Sequence, residues 1–167
     1  VHIFIGKKKI LIIGTAMMVL TLMSKAEDAA LCFGSGFNCS QAVFSAFSED
    51  IGMSREDALK TACAFGAGMG RMGATCGAVT GAFMVLGLKY GKYKEGDDAA
   101  KEKTYALTQE FAKRFSARNG TIVCKELLGL EIGTPEGAKT FKEKGYHAAR
   151  CTKYVRDAAE ILEEMTK

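Results

Sequence analysis

From residue 24 onward apolar side chains return at every third or fourth position, the period of an amphipathic helix, and no segment there alternates apolar and polar residues as a half-buried strand would. The helices are well punctuated. Ser24 and Glu27 have the spacing of a capping box and open a helix that ends near Gly34. Asn38 is the expected N-cap of a second, from Cys39 to about Ile51, stopped by Gly52. Ser54 with Asp57 opens a third, which carries Ala58, Leu59, Ala62, Cys63 and Phe65 and dissolves into GAGMGRMG at 66–73. Thr75 is then read as the cap of a central helix from Cys76 to about Tyr90, with Val79, Phe83, Leu86 and Tyr90 on one face. The longest helix runs from about Asp97 to Arg118, includes Tyr105, Leu107, Phe111 and Phe115, and ends at Asn119-Gly120. A short helical turn, CKELLG at 124–129, precedes a helix start at Thr134-Pro135-Glu136. The last helix covers roughly Ala148 to Met165, with Tyr154, Val155, Ala158, Ile161, Leu162 and Met165 as its buried stripe.

This pattern predicts an all-α, single-domain bundle of about six to seven helices over 24–167, with a Gly-rich turn before the central helix. The single Pro fits, because helices exclude it. A chain of 167 residues can build a core without crosslinks.

Residues 1–23 stand apart. The apolar run 10–23 follows Lys7, Lys8 and Lys9 and precedes Ser24-Lys25-Ala26, the layout of a secretory signal, yet it is shorter than the roughly 20 apolar residues of a membrane span. The competing account is an over-extended start, since the chain begins with Val1 and Met17, Met18 and Met23 follow. The expected location is the cytoplasm on that account, and export or membrane anchorage if the segment is a genuine leader.

Formal charge adds one exclusion. Three of the 23 basic residues lie in that leading segment, which leaves the body near neutrality against its 19 acids, so nucleic acid is not an expected partner. Six cysteines are too few for a disulfide scaffold of this length, and no C-x-x-C pair occurs.

Four of the cysteines, Cys39, Cys76, Cys124 and Cys151, fall at or near helix starts, where unpaired backbone N–H groups and the helix dipole bias a thiol toward thiolate. Converging, they would form a redox or metal site. GATCGAVTGA at 73–82 surrounds Cys76 with small residues, and the N–H of Gly77 is suited to donate to thiolate or sulfide. Gly81 and Gly87 read instead as helix-packing positions. Gly68-x-Gly70-x-x-Gly73 matches a dinucleotide fingerprint only by accident, because no strand precedes it. Arg71 in that turn either compensates an anionic centre or makes a surface salt bridge. His147 would share a helix face with Cys151, four residues on, and reads as a supporting or surface group in preference to a ligand. Cys32 and Cys63 read as small buried apolar residues. No pair of carboxylates and no triad-like histidine setting marks a hydrolytic site.

FNCSQAV at 37–43, GMGRMGATCGAVTGA at 68–82, CKELLG at 124–129 and CTKYVRDAAEIL at 151–162 resemble, in order, segments of the redox-active proteins named for their C…GCAxxG…C…C cysteine pattern. The resemblance covers about residues 24–165. The central segment reads Cys76-Gly77-Ala78-x-x-Gly81, with Gly after the Cys where the name has it before. The resemblance implies a small helical redox protein of anaerobic bacteria and archaea whose pattern cysteines are Cys39, Cys76, Cys124 and Cys151; related iron–sulfur segments occur in split-Soret cytochromes. The expected function is therefore electron transfer through a [2Fe–2S] or [4Fe–4S] cluster held by those four thiolates. Two alternatives stay open: a metal-free thiol–disulfide protein with Cys39 or Cys76 attacking, and a zinc site with four cysteine ligands that only holds helices together. The redox partner, any enzymatic activity, and the assembly, monomer or homodimer, are left open.

Overall fold

Side chains that the sequence marks as caps set most of the helix starts in the computed structural model, which describes residues 23–167. Ser24 and Glu27 close a capping box at the head of α1 (Lys25–Gly34), and Asn38 and Gln41 close another at the head of α2 (Cys39–Ser48). Ser54 accepts from Asp57 N–H to begin α3 (Arg55–Ala62). Asp97 accepts from Ala100 N–H to begin α5 (Asp98–Asn119), which Gly120 ends at φ +92°. Thr134 accepts from Gly137 N–H, with Pro135 at the first helical position, to begin α7 (Pro135–Glu143). The other helices are α4 (Gly77–Tyr90), α6 (Cys124–Leu128) and α8 (Thr152–Thr166).

The fold is all-helical, with eight α-helices among the described residues besides the short left-handed turn Gly66–Met69, against the expected six to seven. The apolar run 10–23 lies, apart from Met23, outside the described residues. No helix among the described residues is long and apolar enough to cross a membrane.

Helix α2 is the centre of the bundle. Nine of its ten residues are buried, and it packs against α1, α3 and α4. The close approach of α2 and α4 depends on Gly81, where a Cβ would stand 2.7 Å from the Ser40 carbonyl. Gly87 plays no such part: nothing lies within 4 Å of the Cβ it lacks, which corrects its assignment as a packing position. On the far side, Val155, Ala158, Ile161 and Leu162 of α8 form one core with Phe111 and Phe115 of α5, all fully buried. Burying each of these Val, Ile, Leu and Phe side chains contributes about 1.5–3 kcal/mol.

The start of α4 differs from the expectation. Cys76, not Thr75, is the N-cap, and no side chain caps the helix. Thr75 is instead committed to an isolated antiparallel bridge with Val123, flanked by Cys76 N–H to Ile122 carbonyl (2.8 Å) and Cys124 N–H to Ala74 carbonyl (2.6 Å). Backbone pairing claims the residue, and it also sets Cys76 and Cys124 side by side.

Candidate functional site

Cys39 is the first residue of α2, Cys76 the N-cap of α4 and Cys124 the first residue of α6, so three of the four pattern cysteines stand at helix starts. Cys151 does not. It closes a π turn, His147–Cys151, that runs without a break into α8, so it lies four residues inside the helical run and not at its head.

The four cysteines nevertheless line one cavity of about 320 Å³. Phe33, Phe37, Leu127, Leu128, Ile132 and Phe141 supply apolar wall, Arg71 and His147 the cationic or titratable groups, and no carboxylate lines it among the described residues. Cys63 is exposed outside it, which corrects its reading as a buried apolar residue; α3 has ended and the turn Cys63–Phe65 that follows buries none of its residues. Cys32 is buried as expected, 3.6 Å from Ser45 Oγ and away from the cavity.

The Gly-rich turn is built in the left-handed conformation. Ala67, Gly68, Met69, Gly70 and Arg71 have φ of 54°, 69°, 64°, 63° and 71°, five residues in succession of which three are not glycine. L-residues visit this region singly, at about 1–2 kcal/mol each, so the surroundings must impose the turn. Gly70 N–H closes on the Gly66 carbonyl at 2.9 Å, and Ala74 N–H on the Gly68 carbonyl at 3.0 Å. Asn38 Nδ2 holds the Cys63 carbonyl at 2.9 Å, while Thr80 Oγ1 holds that of Phe65 at 3.2 Å. Gly68 fits only as glycine, for a Cβ there would lie 2.7 Å from Cβ of Cys124.

The turn delivers a hydrogen-bond donor. Backbone N–H groups of Ala67, Ser40 and Gly77, with its own, lie close enough to the Cys39 sulfur to lower its pKa, and those of Ala78 and Val79 do the same at Cys76, although Ser40 N–H bonds Asn38 Oδ1 and Val79 N–H the Cys76 carbonyl, each at 3.0 Å. Gly77 is packed so tightly on Cys39 that a Cβ would overlap the sulfur. These donors favour thiolate, yet burial outweighs them: desolvation pushes Cys39 up and Cys76 well up, and pushes Cys124 and Cys151 to about 12. Mutual repulsion among the thiolates adds to the rise at Cys76, Cys124 and Cys151, and the Arg150 cation opposes it at Cys151. The expected bias toward thiolate is thus reversed in the metal-free protein.

A family model described as "Putative redox-active protein (C_GCAxxG_C_C)" matches residues 37–165. The chain belongs to this C_GCAxxG_C_C family. No curated protein and no solved structure matches it. In this family member the glycine that follows Cys76 is the one whose missing side chain leaves space for the Cys39 sulfur.

Several residues of the site carry no signal in the sequence. Arg150 donates to the Leu127 and Leu128 carbonyls at 3.1 and 3.3 Å, and Tyr154 Oη to the Leu127 carbonyl at 3.1 Å, which fastens the C-terminal end of α6, the short helix that Cys124 begins. His147 stacks on Phe33, ring centroids 3.9 Å apart. Arg71 is exposed and makes no ion pair among the described residues, against the surface salt-bridge reading. No three His, Cys, Asp or Glu side chains among the described residues stand in an arrangement that would hold a single metal ion.

Proposed function

We propose that this redox-family protein carries an iron–sulfur cluster, [2Fe–2S] or [4Fe–4S], on Cys39, Cys76, Cys124 and Cys151. The observation that carries the reading is the single cavity lined by all four cysteines and by no carboxylate. Four soft sulfur donors suit iron–sulfur chemistry. A lone tetrahedral zinc would draw its sulfurs to about 2.3 Å from one point. A cluster instead spreads its four ligands over several irons. The thiol–disulfide alternative asks for a low-pKa attacking thiol, whereas burial leaves these protonated at neutral pH.

A bound cluster supplies one-electron transfer. The chain would set how readily it does so. N–H groups of Ala67, Ser40 and Gly77 at Cys39, and of Ala78 and Val79 at Cys76, stabilise negative charge on sulfur and raise the reduction potential. Arg71 at the wall and Arg150 beside Cys151 act in the same direction. Phe33, Leu127, Leu128 and Phe141 keep water from the sulfurs. The electron donor or acceptor is proposed to be another protein.

The test is to purify the protein without oxygen from cells with intact cluster assembly, record visible absorption, and assay iron, sulfide and zinc per chain. Iron and acid-labile sulfide together are expected. A colourless protein without either sinks the proposal, and zinc near one per chain would replace it with the structural site.

A further inference from the structure

Cys151 is held differently from the other three site cysteines. Cys39, Cys76 and Cys124 are buried, and each backbone is fixed by a capping box or by the Thr75–Val123 bridge. Cys151 is only half-buried and ends a π turn in which Thr152 N–H reaches back five residues to the His147 carbonyl. A π turn carries one residue more than the α turn it replaces, is rare, and recurs at functional sites. Its register here is set by side chains at its two ends. His147 is stacked on Phe33 with an interplanar angle of 10°, and Arg150 lies 4.4 Å over the Tyr146 ring while it grips the end of α6. Ala148 and Ala149 between them are exposed. Release of the extra residue would turn Cys151 away from the cavity while the fully buried residues of α8, from Val155 onward, keep their places.

The cavity wall beside Cys151 suits an incoming molecule. Leu128, Ile132 and Phe141 form one apolar cluster with Cys151, and the cationic Arg71 lines the same cavity.

We propose that Cys151 is the exchangeable ligand of the site, and that a small external thiol with an apolar or aromatic body takes its place. The inference rests on the cluster reading above. In the exchange the incoming thiol would pass its proton to the Cys151 sulfur and take over its place as sulfur donor, one ligand for another with no electron transferred. Cys39, Cys76 and Cys124 stay bound throughout.

The experiment compares wild type with Cys39→Ala, Cys76→Ala, Cys124→Ala and Cys151→Ala, all reconstituted without oxygen. The readouts are iron and sulfide per chain and the visible and paramagnetic resonance spectra, before and after titration with thiophenol. Cys151→Ala is expected to keep at least half of the wild-type iron and to show a saturable spectral change with thiophenol, while the other three lose nearly all iron. Cys151→Ser, closer in size, gives the same comparison should the alanine variant fold poorly. If both Cys151 variants are as empty as Cys39→Ala while wild type is loaded, exchangeability is overturned and the cluster reading stands. Retained iron with no response to thiophenol overturns the external thiol. Wild type without iron and sulfide overturns both proposals.

Discussion

Gly77 lies against the sulfur of Cys39 so closely that a single added methyl would overlap it. The N–H of the same residue points at that sulfur, so one glycine provides both the space and a donor. Gly77→Ala is therefore expected to empty the site, read as iron per chain after anaerobic purification. Gly87→Ala on the exposed face of the same helix should keep full iron and gain about 0.5–1 kcal/mol in chemical denaturation, since alanine is the better helix former and meets nothing within 4 Å.

The left-handed turn makes a pair of opposed predictions. Arg71 is exposed at φ 71°, so Arg71→Gly should raise the unfolding free energy of the metal-free protein by about 1 kcal/mol, and in the loaded protein lower the reduction potential by removing a cation. Gly68→Ala meets both a positive φ and the Cβ of Cys124, and should cost more than about 2 kcal/mol. Equal destabilisation by the two changes would contradict the geometry.

Cys63 is exposed and Cys76 is buried with its pKa pushed well up, so a thiol reagent at neutral pH should modify Cys63 first. Mass spectrometry after brief alkylation of the intact protein checks the order. Cys63→Ser should leave iron content unchanged.

Alkali should unfold the metal-free protein early. An unfolded cysteine loses its proton near the ordinary value of 9.0, but Cys124 and Cys151 hold theirs in the fold to about 12. The folded state therefore binds more protons between those values, so stability is full below about pH 9 and falls as pH rises toward 12. Melting temperatures from pH 7 to 11 should be flat and then drop, and Cys124→Ala with Cys151→Ala should flatten the drop.

Most helix starts could be read from local chemistry, because a cap is made by residues three apart: Ser24 with Glu27, Asn38 with Gln41, Ser54 with Asp57. The convergence of Cys39, Cys76, Cys124 and Cys151 was anticipated through their family pattern, and the cavity brings them together. What escaped was tertiary in origin. Ala67, Met69 and Arg71 have no intrinsic taste for positive φ; Asn38 and Thr80, distant in sequence, hold the carbonyls just ahead of them. Thr75 carries the side chain of a cap, and only the pairing with Val123 overrides it. Helix-start electrostatics pointed to thiolates, but the depth at which Cys39 and Cys76 are buried reverses the sign.

The turn from Ala67 to Arg71 also has a stereochemical consequence. Its backbone has the handedness natural to D-amino acids, although ribosomal synthesis supplies only their mirror forms. A semisynthetic chain with D-alanine at 67 would adopt the same path without the conformational cost, and should melt higher than the all-L protein while offering the same N–H to Cys39.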